Sequence, residues 1–145
     1  MFKKINWWLI VILGFVLLLR VPSWFEPHWY GDEEIYLALG QAMHRGAILY
    51  RDIWDNKTPL LYIIYALLPT LLWAKLTVTA CVLGTTFGIS KLAQRLFEDK
   101  PGYYPLIPAA ITGLLFSLPS FEGTIANAEL YFTLPIVLGA ILVYR

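Results

Sequence analysis

Apolar positions along the chain gather into runs long enough to cross a bilayer, and the polar stretches between them are very unequal in length. The first run, Ile5 to Leu19, follows Lys3 and Lys4 and meets Pro22. No small-residue cleavage site comes after it, so it reads as an uncleaved first transmembrane helix over about residues 5–22 rather than as a signal peptide. A span needs about 20 residues, a length this run reaches if Arg20 snorkels to the interface. A second run begins at Trp73, reaches Ile89 and then meets Lys91, Arg95 and Lys100, which predicts a span over about 72–90. Third and fourth spans are expected at about 103–118 and 130–144. Both are short, and both contain a proline (Pro108, Pro135) of the kind membrane helices tolerate.

Residues 23–71 form the longest interruption. Within it, Glu33 to Arg45 has helical spacing, with Ile35, Tyr36, Leu39, Ala42 and Met43 on one face. Glu34, Gln41, His44 and Arg45 share the other face, and Leu37 is the exception. Such a helix is too short and too polar to span and suits the membrane surface. Thr58 followed by Pro59 predicts an N-cap and a first-turn proline, opening a helix over 59–71 that Pro69 bends or ends. Two spans and a turn need about 40 residues, more than Pro59 to Ile89 supplies, so this helix is read as re-entrant. The positive-inside rule agrees. It places Lys3, Lys4, Lys91, Arg95, Lys100 and Arg145 on one side, with a cytoplasmic N-terminus in a multi-pass cell-membrane protein. The loops 23–71 and 119–129 then face the opposite, outer compartment.

Composition strengthens the membrane reading. Of 145 residues, 59% are hydrophobic and 14% charged, against about half and about a quarter in soluble domains. Six Trp and nine Tyr suit the bilayer interface. The expected class is an all-α polytopic membrane protein of about four spans with a helical first outer loop. A net charge of +1 without a basic patch gives no reason to expect nucleic acid. The single Cys81 has no disulfide partner, and His28 and His44 have no second ligand at metal spacing, so no metal is expected.

Three polar groups carry candidate chemistry, and all fall on the predicted outer side. In "GDEEIYLALGQAM", Asp32 suits a helix N-cap, with Glu33 and Glu34 in the positively polarised first turn. A carboxylate held there can also accept a proton. In "YRDIWDNKTPLLY", Arg51, Asp52, Asp55 and Lys57 form either a solvated loop of weak ion pairs or a phosphate site. Lys57 precedes a helix start, whose free N–H groups favour anions. Glu129 opens the fourth span, as a dipole partner or as a functional carboxylate. Glu26 and Glu122 have no assigned role.

Taken in order, "GDEEIYLALGQAM", "YRDIWDNKTPLLY" and "ANAELYFTLP" resemble the N-terminal part of the polytopic glycosyltransferases of the GT-C type. The likeness is to the protein O-mannosyltransferases and the lipid A aminoarabinose transferases. It implies the N-terminal portion of a GT-C fold, with a polyprenyl-phosphate sugar as donor and a glycan, lipid or protein acceptor, in contact with membrane lipid. It further implies Asp32 as catalytic base, Glu33 as its acidic neighbour, Glu129 as the second acidic position, and Lys57 with Arg51 at the donor phosphate. Asp55 and Tyr62 would line the site. The chain departs from the family pattern in three places: Glu34 stands where a small residue is common, Thr58 replaces the first proline of Lys-Pro-Pro, and Asn56 takes the place of a metal-binding glutamate. No cofactor is therefore implied. Family members carry many more spans, so the resemblance implies a piece of a longer transferase. The competing expectation is a small transporter subunit or a scaffold whose outer loop binds a partner.

Overall fold

The computed structural model describes residues 6–68 and 70–144. Lys3, Lys4, Pro69 and Arg145, on which part of the orientation and helix-end reading rests, lie outside the described residues. The described chain is all-helical, with one isolated backbone bridge between Leu49 and Ile53. Its helices are α1 (Trp7–Arg20), α2 (Gly31–His44), α3 (Pro59–Leu67), α4 (Leu71–Leu96), α5 (Leu106–Leu115) and α6 (Ala128–Val143).

Two stretches are long and apolar enough to cross a bilayer. They are α1 with its 3-10 continuation, Trp7–Phe25, and α4, Leu71–Leu96. At about 1.5 Å per residue the 26 residues of α4 reach about 39 Å, more than a hydrocarbon core of about 30 Å. The span expected at 72–90 therefore runs on to Leu96. Where spans were expected at 103–118 and 130–144, the helices have 10 and 16 residues, or about 15 Å and 24 Å. Prolines explain part of this. Pro101 and Pro105 precede the start of α5, and Pro119 opens a 3-10 turn after it.

α4 is the central post, packed by α1, α5 and α6. Its inward stripe carries Ala74, Val78 and Val82 together with Thr79, Thr85, Thr86 and Ser90. Their polar atoms are largely met inside the bundle. Thr79 and Thr86 donate back to the carbonyls of Lys75 and Val82, and the Tyr131 hydroxyl donates to the Ala74 carbonyl at 2.8 Å. The outward surface is the apolar one, with Trp7 72% and Leu18 69% exposed on α1. The interior thus mixes small apolar side chains with internally bonded hydroxyls, and large apolar side chains remain on the outside.

Arg20 corrects a sequence expectation. It does not snorkel. It is 0% exposed and donates to Thr79 Oγ1 at 3.0 Å, to the Phe116 carbonyl at 2.6 Å and to the Gly123 carbonyl. The chain after α5 folds back over the end of α1, and its unpaired carbonyls take the guanidinium that would otherwise seek water.

α2 is rotated relative to the face its apolar pattern predicts. Its buried stripe is Glu33, Tyr36, Leu37 and Gly40, at i, i+3, i+4 and i+7, whereas Ile35 is 47% exposed. Leu37, the exception in the pattern, is core, and a carboxylate lies on the buried side. α2 packs this stripe on α3, with the Tyr36 ring edge-on to Tyr62 and Tyr65. The two helices cross so closely at Gly40 that a Cβ there would lie 2.6 Å from the Tyr65 backbone. Gly40→Ala is accordingly expected to destabilise by about 1–3 kcal/mol, the usual range for overpacking, although alanine favours helix. A thermal shift in detergent measures it, and an unchanged or raised midpoint would remove the close crossing from the account.

Candidate functional site

The polar residues singled out from the sequence divide into a group that comes together and a group that does not. Asp32 belongs to the first. It is not an N-cap, because the helix begins one residue earlier. Tyr30 occupies the cap position without a side-chain bond, and the Glu34 amide donates to the Tyr30 carbonyl at 3.3 Å. Asp32 is thus the second helical residue, exposed, with its Oδ2 3.5 Å from the Tyr36 hydroxyl one turn on. Glu129 holds the matching place in α6, as the second residue after the Asn127 cap position. Lys57 lies just before α3, whose cap residue Thr58 uses no side-chain bond and whose first residue is Pro59. The Lys57 ammonium lies 3.4 Å from Glu129 Oε1, so the starts of α3 and α6 meet.

Tyr36 joins them to the start of α2. Its hydroxyl pKa is pushed up by burial and by the charges of Asp32, Glu129 and Asp55 around it. Tyr62 completes the group: its hydroxyl donates to Asp55 Oδ2 at 2.8 Å and accepts the Lys57 amide at 3.1 Å. Burial and that bond to Asp55 raise its pKa as well. Tyr50 donates to the Lys57 carbonyl at 2.7 Å. The backbone of Lys57 is therefore fixed from two sides by tyrosines, and its side chain is left to reach across the mouth.

Two predicted residues point elsewhere. Arg51 is exposed and folds onto its neighbour, with Nε 2.9 Å from Asp52 Oδ1 and Nη2 2.8 Å from Oδ2. That contact raises its pKa and lowers that of Asp52, which also accepts the Ile48 amide. Arg51 closes a local turn and is not brought to Lys57. Glu33, the next residue and so about 100° further round α2 from Asp32, is turned inward and is 2% exposed. It accepts the Ala126 amide and sits 2.9 Å from the Lys75 ammonium. Glu34, unexplained by the sequence, pairs with His28 at 2.5 Å on the surface.

Lys75 is the residue that sequence reasoning missed, although a signal was present: an ionisable group inside the apolar run "LLWAKLTV". Beside Glu129 a cleft of about 310 Å³ opens between apolar walls, Leu115, Phe116, Phe121 and Leu130. Among the described residues no group of three or more potential ligands is placed to hold a metal ion.

In the same region, then, lie two carboxylates, an ammonium and the starts of three helices, of which α3 opens on Pro59 and has no N–H there. Such a mouth can take an anion on Lys57 and the helix ends while a carboxylate accepts a proton. Compared with models of known protein families, with curated proteins and with solved structures, the chain matches none.

Proposed function

We propose that the protein acts as a membrane glycosyltransferase, moving a sugar from a polyprenyl-phosphate donor to an acceptor hydroxyl at the outer membrane surface. What supports the reading is the Lys57–Glu129 contact at the starts of α3 and α6, with Asp32 linked to it through the Tyr36 hydroxyl. Residues 97 positions apart in sequence converge there, in the order and with the chemistry that the resemblance implies. In this reading α5 and α6, with their flanking residues, complete a four-span bundle of GT-C type, and the N-terminus is cytoplasmic.

The reaction is a single displacement with inversion. Asp32 takes the proton of the acceptor hydroxyl while that oxygen bonds to the anomeric carbon and the bond to the donor phosphate breaks. The departing phosphate takes the electron pair and is met by Lys57, which exchanges its bond to Glu129 for the new anion. Helix N-termini add partial positive charge at the same place. The isoprenoid chain has an apolar path beside Glu129, in the cleft walled by Leu115, Phe116 and Leu130.

The direct test is transfer from radiolabelled polyprenyl-phosphate hexoses and pentoses in membranes containing the protein. Lys57→Gln is expected to weaken donor binding by about 10- to 150-fold, as loss of a hydrogen bond to a charged group worth about 1.5–3 kcal/mol requires. Unaltered donor affinity in that variant would remove the phosphate from Lys57.

A transporter subunit would also place cations inside its bundle, as Arg20 and Lys75 are placed. Both cations, however, are held by fixed acceptors, Arg20 by two carbonyls and the Thr79 hydroxyl through Nη1 and Nε, and Lys75 by two carboxylates and a carbonyl, which supports an anchoring role over an ion path.

A further inference from the structure

Lys75 lies in the second turn of α4, 1% exposed, and its three ammonium protons match three acceptors. These are Glu26 Oε2 at 3.1 Å, Glu33 Oε1 at 2.9 Å and the Thr124 carbonyl at 2.8 Å. The Glu33 oxygen that meets Lys75 also accepts the Ala126 amide. One ammonium therefore ties together the segment after α1, the first turn of α2 and the loop that leads into α6. Asp32 is the residue before Glu33, and Glu129 follows Ala126 by three. A compact cation with three donors on a flexible stem fits such a convergence, whereas a planar guanidinium does not. Burial of the charge is tolerated only because every proton has a fixed partner.

We propose that Lys75 is a positioning residue for the outer site: its three-way clamp sets the first turns of α2 and α6 against each other, so that Asp32 and Glu129 face one mouth. The kinetic consequence rests on the transferase reading; the clamp itself does not. Tyr30 and Asn127 serve as reporters, because the Tyr30 hydroxyl is close enough to Asn127 and Glu122 to feel both across the same pair of segments. Tyr30 takes no part in the proposed reaction, whereas Asn127 borders the cleft beside Glu129, so transfer is measured in chains without the two cysteines.

The experiment uses the full chain in detergent, with Tyr30→Cys and Asn127→Cys in a Cys81→Ser background, and a short bifunctional thiol reagent. Lys75→Gln is expected to slow cross-linking about tenfold, well within what loss of a buried ion pair can supply. It should lower kcat about 10²-fold, the scale of an ångström-sized misplacement, with donor affinity nearly unchanged. Glu33→Gln, which keeps the acceptor oxygen and loses the charge, should move both readouts in the same direction and stands in if Lys75→Gln does not fold. Cross-linking at the original rate in folded Lys75→Gln or Glu33→Gln overturns the proposal. So does a parallel loss of kcat and donor affinity, which would make Lys75 a donor contact. Cross-linking that depends on Lys75, in a chain that transfers none of the labelled sugars, would uphold the clamp and refute the transferase reading.

Discussion

Asp32→Asn is expected to lower transfer by about 10²–10⁴-fold, the usual contribution of a positioned general base, while leaving donor binding intact. The separation of the two effects follows from the geometry. Asp32 is exposed at the mouth, with the Tyr36 hydroxyl 3.5 Å from its Oδ2 as its neighbour one turn on. Asparagine preserves the shape and can still meet that hydroxyl, but it accepts no proton. Lys57 is held independently by Tyr50 and Tyr62 and should keep its grip on the donor phosphate. Because Asp32 is neither a cap nor a core residue, folding should be unaffected, and a thermal midpoint equal to that of the unchanged chain serves as control. Near-normal turnover in this variant would remove Asp32 from the mechanism. Loss of donor binding together with turnover would make it a binding residue instead.

The largest stability effect is expected at Arg20. Arg20→Leu keeps an apolar stem in the bundle but strips donors from the Phe116 and Gly123 carbonyls and from Thr79. Each buried carbonyl left without a partner costs about 1–3 kcal/mol, so the two together predict a loss of about 2–6 kcal/mol. Lysine should recover only part of this, because one ammonium cannot span acceptors that a guanidinium reaches with separate nitrogens. Thermal unfolding in detergent, or proteolysis of the segment after α5, measures the effect. A midpoint unchanged in Arg20→Leu would mean that the guanidinium stands at the interface after all.

Most of the site group was legible before any tertiary contact was known. Asp32, Lys57 and Glu129 are charged residues at helix starts beside apolar runs, and Asp55 and Tyr62 lie within five residues of Lys57. Local spacing leaves each of them open between a cap or a solvated loop and a site, and it is the resemblance that joins them as a set. Arg51 was misplaced because spacing along a chain carries no information about competition. An aspartate one residue away takes the guanidinium before any distant anion can. Glu33 was misassigned for a different reason. The pattern in α2 points to the face of Ile35, Tyr36, Leu39 and Met43, but the helix buries Glu33, Tyr36, Leu37 and Gly40, which puts Glu33 beside Lys75. That partner is 42 residues further on and is itself hidden in a run read only for its hydropathy.

By itself the sequence determined that the chain is helical, that α1 with its 3-10 continuation and α4 are long and apolar enough for a bilayer, and that acidic and basic residues gather at particular helix starts. Those properties depend on period, length and residue type, all of which are local. Tertiary structure decided which face of α2 is buried, that Arg20 and Lys75 are interior cations, and that α5 and α6 are shorter than the apolar runs around them. A buried charge goes where its protons find acceptors, and those acceptors are carbonyls and carboxylates brought close only when the chain has folded. In the clamp proposed for Lys75, one such cation holds the first turn of α2 and the loop before α6 together.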